Sequence, residues 1–340
     1  MAATGTGVSV AVVGATGAVG EALLSVLSER EFPLGKLYAL GSGKSVDDTV
    51  MFAERPLPVE AIADFDFSRC KIAFFCAPKA VAKKYAPRAV SAGCWVIDIS
   101  SQFRLDAKVP LVVSQINGDC LAALKTPQII ASPSAPVVQA GTALFSLQKK
   151  FGLRRIDITT MLAVSALGKA GISELAGQTA RLLNAQALQQ KTFPSQIAFN
   201  LLPAFDALNE NGYTLDELSG VKEVKKLLMD ERLEVAMSQA FAPVFYGHSQ
   251  IVRLETEQPI DMRIAREQLL LAGLKFNDES DEPLSPVAIG TGSDVIFISR
   301  LAQRASAPRN LELWTVADNI RNGAAVNTVE IAETLLKSHL

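Results

Sequence analysis

Val8-Ser9-Val10-Ala11-Val12-Val13-Gly14-Ala15-Thr16-Gly17-Ala18-Val19-Gly20 is the stretch from which the fold is read. Its first six residues are mostly β-branched and are closed by Gly14, the pattern of a short strand buried on both faces of a parallel sheet. From Glu21 to Arg30 the apolar residues Ala22, Leu23, Val26 and Leu27 recur at the spacing of one helical face, and Phe32-Pro33 stops the helix. Between strand and helix the glycines form GxxGxxG, a variant of the turn that lets backbone approach a pyrophosphate at the positive end of a helix. Gly14, Thr16, Gly17, Ala18 and Val19 are therefore the expected nucleotide contacts.

The alternation continues outward. Strands are expected at Leu37–Leu40, Ile72–Phe75 and Trp95–Ile99, with a helix over Val81–Ala92, which implies a Rossmann-type doubly wound parallel sheet. Beyond Pro133 the pattern changes. A long helix is expected over Val137–Phe151, a strand over Ile156–Ser165, a helix over Ile172–Asn184, and later strands at His248–Glu255 and Val295–Arg300. This reads as a second, mixed α+β domain over 133–318, following a first domain over 1–132. A closing helix, Asn319–Leu340, has no local partner and is expected to return to the first domain.

The 340 residues suit two domains of ordinary size. With 33 basic against 35 acidic residues and no block of Lys/Arg, the chain has no electrostatic footprint for nucleic acid or an anionic membrane. No apolar run is long enough to span a bilayer, and the N-terminus lacks a signal-peptide pattern, so a cytoplasmic protein is expected. The four cysteines, Cys70, Cys76, Cys94 and Cys120, lack metal-ligand spacing and read as structural thiols.

Cofactor choice is set after the second strand, where a carboxylate would hold a free ribose 2′-hydroxyl and a cation would accept a 2′-phosphate. The residues there are Gly41-Ser42-Gly43-Lys44-Ser45. Ser42, Lys44 and Ser45 favour NADP over NAD; the alternative is that Lys44 is simply a solvated loop lysine.

Several separated segments join the glycine turn: Asp98-Ile99-Ser100-Ser101-Gln102-Phe103-Arg104, Pro110-Leu111-Val112-Val113, Ile197-Ala198-Phe199-Asn200, Pro243-Val244-Phe245-Tyr246-Gly247-His248-Ser249, and Leu313-Trp314 through Asp318-Asn319-Ile320-Arg321-Asn322-Gly323-Ala324-Ala325. In order and spacing they resemble the aspartate-β-semialdehyde dehydrogenase family over essentially the whole chain. The resemblance implies a homodimer of amino-acid biosynthesis whose second domain supplies both active site and dimer sheet. It implies NADPH-dependent reductive dephosphorylation of aspartyl phosphate through a cysteine thioester, with a histidine moving the proton. It also adds Asn319 to the nucleotide contacts.

Set against that family, the nucleophile's turn is here Ser132-Pro133-Ser134-Ala135, which puts a methyl group where sulfur attacks. Losing a nucleophile lowers turnover by on the order of 10⁶, or roughly 8 kcal/mol of barrier. The family's orienting glutamine falls at Leu162 and its carboxylate-binding arginine at Phe241. The cofactor loop departs as well, at Cys76-Ala77-Pro78-Lys79 and Ile99. His248 stands at the proton-shuttle position, and Arg104 and Lys225 match the phosphate ligands. These could keep a pocket for a small anionic metabolite, or persist as a packed imidazole and surface cations. Ser134 is adjacent to the vacant position, but its hydroxyl has no designated base; Cys76, at the end of a parallel strand and near the ligand crevice, is a redox or contact candidate. A catalytically silent NADP-binding dimer is the preferred expectation, and an oxidoreductase acting on a less anionic aldehyde is the alternative.

Overall fold

The computed structural model describes residues 7–46, 48–276 and 284–340. It divides into two units, one made of residues up to Ser134 together with Ala324–Leu340, the other of Ala135–Gly323.

The first unit is built on β1 (Val8–Val13), α1 (Ala18–Glu29), β2 (Leu34–Gly41), β3 (Thr49–Phe52), β4 (Arg55–Ala61), β5 (Ile72–Phe75), α2 (Lys79–Ser91), β6 (Trp95–Asp98), α3 (Ser114–Asn117) and β7 (Ile129–Ala131). Its sheet runs β3-β4-β2-β1-β5-β6-β7, parallel throughout except for the antiparallel edge strand β3. Side-chain alternation explains the two layers of helix. Val10 and Val12 point to a core shared with Leu23, Leu24 and Leu27 of α1 and with Val329, Ile331 and Leu335 of the C-terminal helix (Asn327–His339). Ala11 and Val13 point to the other core, packed by Ala82, Tyr85, Ala86 and Ala89 of α2. Strand order reverses at β1, so the ends of β1 and β5 open a crevice at the switch point.

The C-terminal helix is fastened by Asn327, whose side chain accepts from Ser114 N–H at 2.9 Å and donates to Val112 O at 3.0 Å and Ser132 Oγ at 2.9 Å. The sequence reading starts a continuous helix at Asn319. In the structure residues Arg321–Val326 form a wide π turn, and regular helix begins only at Asn327. The reason is local: the Asp318 carboxylate accepts from Ile320 N–H at 2.9 Å and Arg321 N–H at 2.8 Å, fixing an Asp-capped turn there.

The second unit comprises α4 (Ala135–Phe151), β8 (Leu153–Leu162), α5 (Gly168–Leu183), β9 (Leu202–Pro203), α6 (Leu215–Leu228), β10 (Glu234–Phe241), β11 (His248–Thr256), α7 (Met262–Leu271), β12 (Lys275–Phe276), β13 (Phe297–Ala302) and β14 (Asn310–Ala317). Its mixed sheet runs β12-β13-β14-β11-β8-β10-β9. One face, carrying Ile156, Ile158, Val252, Leu254, Leu311 and Leu313, is buried, with α4 against β8, β11 and β14. The opposite face is open and carries Asp157, Thr159, Arg253 and Glu312 in register across β8, β11 and β14. Strand β8 starts at Leu153 rather than Ile156 because the charged Arg154 and Arg155 need no burial in a sheet covered on one side. Among the described residues no helix is long and apolar enough to cross a membrane.

Candidate functional site

In the first unit, the glycine turn sits where β1 ends and α1 begins. Gly14 has φ +82°, and a Cβ built there would lie 2.5 Å from Cys76 O, so only glycine fits both the backbone angle and the close approach. A Cβ on Gly20 would lie 2.2 Å from Gly14 O, which draws α1 tightly onto the turn. Gly17 is the N-cap of α1, and Ala18 and Val19 open its first turn, where helical N–H groups lack intrahelical acceptors.

A cavity of about 200 Å³ lies against this turn. It is lined by Gly14, Thr16 and Gly17, by Ser42 and Ser45 of the β2–β3 loop, and by Cys76, Ala77 and Pro78 after β5. Thr16 Oγ1 donates to Ser45 Oγ at 3.2 Å and joins the two loops. Of the turn residues expected from sequence, Gly14, Thr16 and Gly17 line the cavity together with Ser42 and Ser45, Ala18 and Val19 do not, and the Lys44 side chain lies outside the described residues. Ile62 and Val81 also line the cavity and were not foreseen, since isolated apolar residues carry no local signature of a ligand wall. Cys76 is half-buried, and burial first, then the neighbouring Asp98, pushes its thiol upward, so it is a neutral wall rather than a nucleophile.

Arg104 belongs to the same unit. Its Nε donates to Ser132 O at 3.1 Å and its Nη2 to Ile99 O, holding the segments that follow β6 and β7. Asp98, fully buried at the end of β6, accepts from Ser100 N–H at 3.1 Å and Ser100 Oγ at 2.8 Å. Burial pushes its carboxyl up to about 6, partly offset by those bonds and by the Arg104 charge.

The second unit holds the other expected residues. Ala135 is the first residue of α4, and its methyl faces Gly323, where an added Cβ would come within 2.6 Å of it. Two glutamines tie this end of the helix to the sheet. Gln250 Nε2 donates to Pro136 O at 2.9 Å and Thr160 Oγ1 at 3.1 Å; Gln139 Nε2 donates to Thr315 Oγ1 at 3.0 Å. Gln250 Oε1 and Asn322 Oδ1 are buried with no partner among the described residues, each a place for a donor from water or ligand.

His248 opens β11 and is 1% exposed. Its Nδ1 accepts from Ala163 N–H at 3.1 Å, which leaves the ring proton on Nε2. Burial lowers its pKa to about 3, so the imidazole is neutral at physiological pH. Asn319 does not point its amide into open space. Its Oδ1 accepts from Gly247 N–H at 2.9 Å and from Ser165 Oγ at 3.1 Å, so it positions the residue preceding His248.

Leu162 and Phe241 are paired in register at the ends of β8 and β10. Both are buried in an apolar cluster with Leu175, Phe193, Ile197 and Leu202. The Phe241 ring packs edge-on to Phe193 at 5.4 Å and tilted to Phe205 at 5.2 Å. Glu174 and Gln178 of α5 fold the neighbouring loop over this cluster: Glu174 accepts from Lys191 and Thr192 N–H, and Gln178 from Ile197 N–H at 2.8 Å. Lys225, on α6, donates from Nζ to Glu231 O at 3.0 Å, just past the helix end, which is a capping contact. Sequence reasoning missed Ser165, Gln139 and Gln250, whose partners lie far along the chain.

Residues 144–322 match the family model for the semialdehyde dehydrogenase dimerisation domain, and residues 9–124 the model for the semialdehyde dehydrogenase NAD binding domain. A Legionella pneumophila protein named aspartate-semialdehyde dehydrogenase is 43% identical over 98% of this chain and 96% of its own length. The chain belongs to the aspartate-semialdehyde dehydrogenase family. A relative of the same name from Shewanella violacea is 40% identical over 97% of this chain and 98% of its own length. Among solved structures, aspartate semialdehyde dehydrogenase II of Vibrio cholerae, complexed with ASA, superposes with a TM-score of 0.94 at 40% identity, covering 98% of this chain and 100% of that one. Family membership thus rests on both domains, and the α/β architecture with its nucleotide-binding and dimerisation domains is that of the family.

Proposed function

We propose that this chain is a dimeric, NADP-binding member of the family that has given up covalent acyl transfer. The observation that supports the reading is Ala135: the first residue of α4 ends in a methyl group, packed toward Gly323, at the position to which the sequence resemblance assigns the family's thiolate. Leu162 and Phe241, paired with each other and buried in one apolar cluster, offer neither an amide nor a guanidinium.

The glycine turn fits a dinucleotide, because Gly14 is held at a positive φ against Cys76 O and a cavity of about 200 Å³ lies against the turn that opens α1. Gly14, Gly17, Ala18 and Val19 would hold the pyrophosphate, and Thr16, Ser42, Lys44 and Ser45 the adenosine ribose and its 2′-phosphate. When bound, the cofactor supplies a hydride donor or acceptor. In the second unit His248 would be an Nε2–H donor to a carbonyl or carboxylate oxygen of a small anionic metabolite, kept aimed by Asn319 through Gly247. The open face of the second sheet, with Asp157, Thr159, Arg253 and Glu312, would meet its counterpart on a second copy. The free thiols suit the reducing cytoplasm.

The test is NADP-dependent oxidation of aspartate semialdehyde in phosphate, the compound named for the relatives, alongside calorimetric titration of NADP. The reading expects NADP binding without turnover, and turnover at the relatives' level would overturn it. Gly14→Val should abolish binding; unaltered NADP affinity in that variant would remove the nucleotide assignment.

A second reading is an oxidoreductase that reduces a less anionic aldehyde by direct hydride transfer. The apolar pair Leu162 and Phe241 favours it. An aldehyde and acyl-phosphate panel followed by NADPH absorbance separates the two, since silence across the panel leaves only the first.

A further inference from the structure

At the N-terminal ends of β5 and β6, opposite the strand ends that carry the nucleotide turn, two cysteines lie side by side. Cys70 ends the short turn Phe67–Arg69 that leads into β5, and Cys94 leads into β6. Because β5 and β6 pair in parallel with Ile72 opposite Trp95, the residues just before them are brought together. Their sulfurs are 3.5 Å apart. Cys94 Sγ lies 3.0 Å from Phe67 O and 3.1 Å from Cys70 O, and Cys70 Sγ lies 3.4 Å from Phe67 O, so the sulfurs share one carbonyl.

We infer that Cys70 and Cys94 form an intramolecular disulfide when the protein meets a hydroperoxide, making this dithiol a two-electron oxidation site. A disulfide needs a sulfur separation of about 2.05 Å, so the pair must close by roughly 1.5 Å, within reach of side-chain rotation at the end of a turn. Access requires only local opening. The thiols are buried, but Ser68, Arg69, Lys71, Ala92 and Gly93 beside them in the chain are exposed. The hydrogen bond between the sulfurs raises the Cys70 thiol and lowers that of Cys94.

The chemistry balances. Cys94 gives its proton to solvent and its sulfur attacks the hydroperoxide; the O–O bond breaks, the alcohol leaves with a proton, and a sulfenic acid forms. The Cys70 sulfur then attacks the sulfenic sulfur, the S–O bond breaks, and hydroxide leaves as water with the Cys70 proton. Two thiols lose two electrons and two protons, and the hydroperoxide is reduced to alcohol and water. The bond would close a loop containing α2 and narrow the unfolded ensemble, so the oxidised chain should melt at a higher temperature than the reduced one.

The experiment uses the full chain treated with hydrogen peroxide, alkylated in denaturant, and mapped by mass spectrometry without reduction. Four thiols should fall to two, one cross-linked peptide should join Cys70 to Cys94, and dithiothreitol should restore all four. Cys70→Ser and Cys94→Ser should each remove the cross-link, and a Cys76→Ser/Cys120→Ser double variant should keep it. Should a serine variant fail to fold, the wild-type peptide map decides alone. Retention of four thiols, a bridge involving Cys76 or Cys120 or a second chain, or over-oxidation of Cys94 without a bridge would each overturn the inference.

Discussion

The glycine turn after β1 and the first turn of α4 stand under different kinds of constraint. At Gly14 the backbone itself makes the demand: a positive φ and a neighbour at 2.5 Å leave no room for any side chain. Replacing that residue would strain the turn whatever the protein does. At residue 135, on the proposed reading, the demand of the chemistry falls on one side-chain atom. Alanine begins a helix as well as any residue, so the fold does not resist its presence there. A site built from main chain is protected by folding, whereas a site that depends on one reactive side chain can be emptied with little structural penalty.

The largest effect that would break this contrast is catalytic. On the proposed reading Ala135→Cys should become alkylatable by iodoacetamide yet turn over aspartate semialdehyde by at least about 10² less than the relatives, because Leu162 and Phe241 would stand in for the orienting and clamping groups. Full activity from that single change would mean that the surroundings had remained competent. The next effect concerns the apolar cluster. Phe241→Ala should destabilise the chain by about 3–5 kcal/mol in urea melts, since the ring packs on Phe193 and Phe205. A change below about 1 kcal/mol would place Phe241 in a ligand pocket instead of a core.

Titration sharpens the contrast further. His248 has a pKa lowered from 6.5 to about 3, so within that window the unfolded chain binds a proton that the folded chain refuses. Stability should therefore be lost as pH falls through the window, by up to about 1.4 kcal/mol per unit. His248→Gln should flatten the acid limb of a urea-stability profile, and parallel profiles would contradict the burial of the ring. Asp98 works in the opposite sense, being raised from 3.8 to about 6: its contribution is present at low pH and is lost as pH rises through that range. The smallest effect is expected at Lys225→Ala, about 0.3–1 kcal/mol through a helix-end contact, with NADP affinity unaltered when measured by calorimetry.

Much of the first unit was legible. The expected strand Val8–Val13 is β1, and the alternation of Val10 and Val12 with Ala11 and Val13 separates two helix layers. Periodicity is a local property, and these elements are decided locally. Strand β10, Glu234–Phe241, was not foreseen, because Val-Ala-Met-Ser-Gln-Ala alternates weakly and its partner β8 lies far away in the chain. The same holds at the site. The glycine turn could be read from the sequence, whereas the bonds of His248 to Ala163 and of Asn319 to Ser165 join residues 85 and 154 positions apart. Sequence spacing offers no sign of such pairs.

The fastening of the C-terminal helix also bears on how the molecule is made. Val329, Ile331 and Leu335 complete the core that β1 and α1 begin, so the unit that starts to fold first lacks a wall until the helix Asn327–His339 has emerged from the ribosome. During synthesis its half-finished sheet must wait, exposed to chaperones, while the later unit has all of its own strands in hand. A stop codon ahead of Asn327 would therefore damage the start of the protein more than its middle.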